Sequence, residues 1–326
     1  MHMYVGVDMH KATFSAAVID EDGSIVREAK LPSDPEQLRN FSYSLPSGSE
    51  IVMESSSTWY WAYRILSERH KVVLSNPLKT KAIASAKVKT DRIDSLTLAE
   101  LLRGGYIPEC YIPDVYTQQV RELVRYRAKL VRLRTIVKNS IHAHLLMYNI
   151  KVEGYPFTES FKERLKGLGD PKIIGYLKIL GVLDNEIHEA SETIKGIAND
   201  NKDAQLLMSI PGISFYSALL ISSEIGDINR FPDAAHLVSY AGLAPSTYSS
   251  GNAVYHGSIT KQGSPYLRWI LTQVTWANIR KDPYGRIAQF YNRLKAKKGS
   301  SKAIVAASAK MLRIIYSVLK NGSPYS

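Results

Sequence analysis

Four acids carry the chemistry this sequence points to: Asp8, Glu54, Asp91 and Asp94. Asp8 closes the short apolar run Tyr4-Val5-Gly6-Val7-Asp8, and Glu54 closes Ile51-Val52-Met53-Glu54. Asp91 and Asp94 stand three apart in Lys89-Thr90-Asp91-Arg92-Ile93-Asp94, a spacing that puts both on one face of a helix. Strand ends of an α/β sheet meet along one edge and a helix can cross that edge, so four carboxylates can share one pocket. Such a cluster repels itself unless positive charge sits within it. Hard divalent cations take oxygen ligands, and two of them about 4 Å apart suit phosphodiester cleavage, activating the attacking oxygen and stabilising the leaving one. Each acid alone reads as a solvated strand or helix end; the pattern of four points to metal. A sugar-kinase or actin-like ATPase also opens on a strand ending in Asp. It needs glycines to wrap the phosphates, and Asp8-Met9-His10-Lys11-Ala12-Thr13 has none.

The elements that must position these acids follow from pattern. Tyr4 to Val7 reads as a strand and Thr13 to Ile19 as a second. Asp20-Glu21-Asp22-Gly23 is a turn, and Ser24 to Leu31 is the return strand. A helix starts at Ser33-Asp34-Pro35-Glu36. Glu50 to Met53 is a strand, Ser57 to His70 a helix, Lys71 to Ser75 a strand, and Lys79 to Leu102 mostly helix. This alternation predicts a mixed sheet covered by helices. From Tyr116 to Met147 a long helix is expected, with Leu123, Tyr126, Leu130, Leu133 and Val137 as a coiled-coil seam. After Gly154-Tyr155-Pro156, a second stripe runs through Ile173, Leu177, Leu180, Ile187 and Ile194, predicting an antiparallel helical hairpin. Beyond Lys202 the chain reads as helical, with an irregular stretch between Ala244 and Pro265 and long helices over Tyr266–Arg280 and Ser301–Leu319. The expected domains are 1–115, 116–200 and 201–326.

Composition narrows the partner. The 326 residues carry 42 Lys and Arg against 30 Asp and Glu, a formal net charge of +12. That surplus favours nucleic acid first and an anionic membrane second. A single cysteine, Cys110, rules out an intrachain disulfide and a thiolate zinc site. No signal peptide opens the chain and no apolar window spans a bilayer, so a soluble, cytoplasmic protein with no membrane role is expected.

The surplus charge is concentrated. Between Tyr116 and Met147 seven cations (Arg121, Arg125, Arg127, Lys129, Arg132, Arg134 and Lys138) face one acid, Glu122. Between Arg280 and Lys302 eight cations face Asp282. Basic helical faces neutralise phosphates and release counterions, which makes Arg121, Arg125, Arg132 and Lys138 candidate nucleic-acid contacts. Ser209-Ile210-Pro211-Gly212-Ile213-Ser214 lies between two helical stretches. A Pro-Gly turn there would either expose N–H groups around Gly212 to a phosphate or serve as a simple connector.

Three motifs carry a resemblance: Gly6-Val7-Asp8-Met9-His10-Lys11, then Met53-Glu54-Ser55-Ser56-Ser57-Thr58-Trp59-Tyr60, then Lys89-Thr90-Asp91-Arg92-Ile93-Asp94. Together they resemble the RuvC-like domain of transposases of the insertion-sequence-110 family. The resemblance implies a ribonuclease-H-like fold in the first domain. It also implies that Asp8, Glu54, Asp91 and Asp94, in the family's Asp-Glu-Asp-Asp pattern, are catalytic and hold Mg²⁺ or Mn²⁺. It continues through Ser239-Tyr240-Ala241-Gly242-Leu243-Ala244-Pro245, Tyr248-Ser249-Ser250-Gly251-Asn252, Gly257-Ser258-Ile259-Thr260-Lys261-Gln262-Gly263 and Tyr266-Leu267-Arg268, which is similar to the mostly α-helical transposase domain of that family. Lys261 and Arg268 are candidate nucleic-acid contacts there. The family's serine nucleophile, the one preceding Gly, falls on Ser250, with Ser249 the neighbour to exclude; taken alone, Ser250 reads as a turn residue. Where many relatives carry Arg a few residues on, this chain has Tyr255 and His256.

A serine ester with a DNA strand keeps the energy of the broken bond, so a new strand can be joined without ATP. The resemblance implies a DNA transposase and recombinase working on double-stranded donor and target DNA as a homodimer or homotetramer. It also implies a structured bridge RNA that guides site choice by pairing, while the protein reads backbone shape. The alternatives are a RuvC-type structure-selective nuclease using water and a non-catalytic nucleic-acid-binding protein.

Overall fold

The computed structural model describes residues 2–84, 90–250 and 253–325. Two compact units divide the chain, Met1–Ile112 and Pro113–Ser326.

The first unit is built on a five-stranded mixed sheet. Its strands are β1 (Tyr4–Met9), β2 (Thr13–Ile19), β3 (Ile25–Pro32), β4 (Glu50–Glu54) and β5 (Lys71–Ser75), in the spatial order β3-β2-β1-β4-β5. β1, β2 and β3 form an antiparallel meander, whereas β4 and β5 run parallel to β1. This is the ribonuclease-H-like arrangement. The strands alternate sharply. Val5, Val7, Ile51, Met53 and Leu74 enter one core with Leu38 and Phe41 of α1 (Pro35–Ser44) and Ala62, Ile65 and Leu66 of α2 (Trp59–Leu66). The opposite face presents Val52 and Val73 to Leu98 and Leu102 of α4 (Asp91–Arg103).

The segment expected to be mostly helical, Lys79 to Leu102, holds two helices among the described residues. α3 (Pro77–Ile83) starts on an Asn76 cap, α4 starts on a Thr90 cap, and 85–89 lie outside the described residues. A cap satisfies N–H groups that would otherwise have no acceptor, so each cap marks a true start.

The second unit is helical. α5 (Val115–Met147) and α7 (Pro171–Asp200) run antiparallel, tied by Arg127–Ser191, Arg134–Asp184 and His144–Asp170 contacts, with α6 (Glu159–Gly167) at the tip. The hairpin therefore forms, but its seam differs from the expected one. Val120, Val124, Leu130, Ile141 and Leu145 are buried, whereas Tyr126 and Leu133 are exposed. The reason is that α5 serves two cores in succession. Its first turns join a large cluster with Ile194 and Ala198 of α7 and the C-terminal helices. Its last turns join a tip cluster with Phe161, Leu165 and Ile173.

The C-terminal helices are α8 (Lys202–Met208), α9 (Phe215–Ile225), α10 (Ala234–Tyr240), α11 (Pro265–Lys281), α12 (Arg286–Lys298) and α13 (Ser300–Asn321). α9 is buried on all sides from Tyr216 to Ile225, as a central helix must be. The stretch expected to be irregular holds an antiparallel pair, β6 (Pro245–Ser250) and β7 (Ala253–Ile259). Among the described residues no helix is long and apolar enough to cross a membrane.

Candidate active site

Strand register assembles the site. Asp8 pairs with Ser15, Ser15 with Lys30, and Glu54 with Ser75. One step beyond the last registered pair of β1 and β4, Val7 with Met53, Asp8 stands beside Glu54. Lys30, Ser15, Asp8, Glu54 and Ser75 thus form a polar row across all five strands. Alternation sends it to the face that α4 covers, because Val52 and Gly6, two residues back, meet α4. Gly6 makes that approach possible: a Cβ there would stand 1.9 Å from the Ser95 carbonyl oxygen and 2.6 Å from the Ala99 nitrogen. With no side chain between them, α4 lies directly on β1 and delivers its first turn to Asp8.

Asp91 and Asp94 occupy that first turn, where the helix dipole favours negative charge. Asp8 is only 8% exposed. Burial raises its pKa most; Asp94 and Asp91 raise it further, against the opposing pull of His10. His10 Nε2 lies 3.0 Å from Asp8 Oδ2 and 3.3 Å from Asp91 Oδ1. Lys30 Nζ donates to Asp91 Oδ2 at 2.9 Å and, as the largest cause, holds Asp91 below the usual carboxylate range. Ligand atoms of Asp8, His10 and Asp91 fall within 4.8 Å of one another. A crowd of carboxylates around a buried Asp with a raised pKa is what a divalent cation relieves, so the donor set fits one. A cavity of about 560 Å³ opens beside it, lined among others by Ser15, Lys30, Thr90, Asp91, Arg92 and Ser95.

The structure therefore gathers Asp8, Asp91 and Asp94, with Glu54 placed next to Asp8 by register. His10 and Lys30 were not singled out from sequence. The signals were present: His10 lies two residues past Asp8, and the β2–β3 hairpin puts Lys30 across from Ser15.

Ser250 ends β6 opposite Ala253; its side chain and that of Ser249 lie outside the described residues, as do Gly251 and Asn252. The candidate phosphate contacts divide. Arg121 is 9% exposed and donates through Nε and Nη2 to the Ser223 carbonyl, closing the C-terminal end of α9. Arg125 makes two bonds to Glu224, at 2.6 and 2.8 Å. Through these bonds both hold helices together, Arg121 from within the core and Arg125 from a part-exposed position. Lys138 sits 4.8 Å from the Phe157 ring centroid, and burial lowers its pKa. Arg268 is half-buried and donates to the Ala241 and Gly263 carbonyls. Gly212, at φ +94°, lies against α11, where a Cβ would come within 2.4 Å of the Asn278 nitrogen, and Asn278 Nδ2 donates to the Pro211 carbonyl. That close approach accounts for the glycine without a phosphate. Arg132 and Lys261 are exposed.

Comparison with known proteins agrees with this geometry. A DEDD-type transposase family of the IS110 kind matches residues 5–150, and the transposase IS116/IS110/IS902 family matches 204–292. The transposase for insertion sequence element IS1111A of Coxiella burnetii is 26% identical, the match covering 98% of this chain and 90% of that one. The transposase for insertion sequence element IS1328 of Yersinia enterocolitica is also 26% identical, over 99% and 98%. A pilin gene-inverting protein of Moraxella bovis is 25% identical, over 99% and 97%. With both halves of the chain matched in order and the four acids of the first half set around one sheet edge, the protein belongs to the IS116/IS110/IS902 family of transposases.

Proposed function

We propose that this transposase excises and inserts a mobile element by cutting and rejoining DNA strands, with Mg²⁺ held by Asp8, Glu54, Asp91 and Asp94 and with Ser250 as nucleophile. The observation that carries the reading is the convergence on buried Asp8 of two acids from α4 and one from β4. A bound divalent cation supplies positive charge to the phosphoryl oxygens and makes a hydroxyl easier to deprotonate. The chain's own groups do the rest. The Ser250 oxygen forms a bond to phosphorus, and the bridging oxygen of the cut strand leaves and takes up a proton. The hydroxyl of a new strand then attacks the same phosphorus, and the serine oxygen regains a proton as it leaves. Names of relatives that invert genes or move insertion sequences support rearrangement of double-stranded DNA as the outcome. Action as a homodimer or homotetramer with a structured guide RNA belongs to the same proposal and rests on the family resemblance alone.

The test is a denaturing gel for protein-linked DNA, run with recombination assays. Asp8→Ala and Glu54→Ala should abolish cleavage with the fold intact. Ser250→Ala should lose the covalent adduct, while Ser249→Ala keeps it. An adduct that survives in Ser250→Ala sinks the nucleophile assignment. Cleavage without any adduct in the wild type would favour a nuclease that uses water.

A further inference from the structure

The second unit holds a groove of about 850 Å³ between α5 and the start of α11, lined by Ala128, Lys129, Val131, Arg132, Thr135, Ile136, Pro265, Tyr266 and Trp269. We propose that this groove takes an unpaired base of a single-stranded nucleic acid segment, stacked on Trp269, with its flanking phosphates on Lys129 and Arg132. The proposal rests on the reading of the chain as a nucleic-acid enzyme and adds a second contact to it, distinct from the acids.

Three observations converge. The first is chemical. Tyr266 and Trp269 stand three apart on α11 and so share a face. Trp269 is 41% exposed, a large ring left open to water. Aromatic rings beside a basic rim form the platform on which single strands stack, because every base offers a π-face. The second is charge. Lys129 and Arg132 also stand three apart, on the facing stretch of α5, and both are exposed. Arg121, Arg125, Arg127 and Arg134 on the same helix are bonded to protein acceptors. The cations that remain toward solvent in the middle of α5 are the two at the groove, where they complement phosphate. The third is rigidity. Arg125 lies 5.1 Å from the Tyr266 ring centroid and is itself gripped by Glu224, which is 1% exposed. A half-buried ion pair thus braces the groove wall before any ligand arrives, which lowers the ordering cost of binding.

Val131, Ile136 and Ala128 supply an apolar floor. A base needs such a floor and a paired duplex cannot use it, since its bases are already stacked on one another. The groove should therefore separate unpaired from paired strands while accepting many sequences.

Binding of labelled short single strands, in DNA and RNA forms, and of the matching duplex would be measured on the full chain by fluorescence anisotropy with a chelator present, so that no cleavage occurs. Trp269→Ala should weaken single-strand binding roughly ten- to hundredfold and leave duplex binding within about twofold. Trp269→Phe, which keeps a ring, should recover most of the loss. Lys129→Ala and Arg132→Ala, both at the surface, should weaken single-strand binding and flatten its salt dependence even if the tryptophan variant misfolds. Unchanged single-strand affinity in all these variants overturns the proposal, as does an equal loss for duplex. It is also overturned if Trp269→Ala changes the oligomeric state measured by light scattering without nucleic acid, since the groove would then be a face between copies. A wild-type chain that binds no nucleic acid at all would instead sink the recombinase reading.

Discussion

The acids of the first unit and the cations of α5 look alike in sequence, as clusters of one sign, but the fold treats them in opposite ways. The acids come from three separate segments and meet. The cations come from one helix and disperse. The difference lies in what sets direction. Register locks Asp8 beside Ser15 and, one step past Val7 and Met53, beside Glu54, while alternation sends the whole row to one face. Along α5 each residue turns about 100° from the last, so seven cations point all around the axis. Those that point inward acquire structural partners: Ser223 for Arg121, Glu224 for Arg125, Ser191 and the Tyr216 ring for Arg127, and Asp184 for Arg134. A run of charge on a helix therefore overstates the surface it offers to phosphate, whereas scattered acids at strand ends understate the site they make.

The strongest way to break this comparison is to treat two cations of α5 alike. Arg125→Met strands the Glu224 carboxylate in the core. Removing one partner of a buried pair costs about 3 to 5 kcal/mol, toward the lower end here because Arg125 itself is part-exposed. Arg132→Met, seven residues on, removes an exposed charge and should stay within about 0.5 kcal/mol of wild type. Urea denaturation followed by circular dichroism reads both. Equal losses would mean that the division between structural and free cations is wrong.

On the acid side, Gly6→Ala tests whether the site depends on how closely α4 approaches β1. Its Cβ would collide with the Ser95 carbonyl and the Ala99 nitrogen, both backbone atoms that cannot rotate away. Overpacking of this kind costs about 1 to 3 kcal/mol. Because α4 must shift, Asp91 and Asp94 leave Asp8, and Mn²⁺ affinity read by titration should fall along with the melting temperature. A variant that is destabilised but binds Mn²⁺ as tightly as wild type would show that α4 moves without disturbing the acids.

Much of this was legible in sequence, and the misses have physical causes. The strands, the α5–α7 hairpin and the four acids follow from alternation, three-four spacing and strand ends. The break before α4 was hidden because Lys79 to Leu102 contains no Gly or Pro to interrupt a helix; only the Thr90 cap marks the start. The β6–β7 pair was read as irregular because Pro245, Ser246, Ser249, Ser250 and Gly251 give no alternation of apolar and polar residues. The seam of α5 was displaced because Tyr126 and Leu133 fit the period without being buried. For His10 and Lys30, spacing and hairpin register signal a place near Asp8, but their contact with Asp91 depends on where α4 lies in space.

The smallest expected effect is also the sharpest on sign. Burial, with Asp94 and Asp91, raises the pKa of Asp8, so the folded chain holds that proton more tightly than the unfolded chain does. Through this group, stability without divalent cation falls as pH rises from the ordinary aspartate value of 3.8 through the raised value. Asp91 and Asp170 have lowered pKa values, caused first by the Lys30 and His144 side chains, and they contribute the opposite slope, losing stability as pH falls. A wild-type pH profile alone therefore mixes both signs. The difference between wild type and Asp8→Asn isolates the first. In chelator, the variant should melt higher than wild type at neutral pH, with the gap closing as pH falls below the ordinary aspartate range. Adding Mn²⁺ should reverse the order at neutral pH, because only the carboxylate gains a ligand's share of the cation's stabilisation. A variant that melts lower than wild type in chelator at neutral pH would mean that His10 and its neighbours already balance the Asp8 charge.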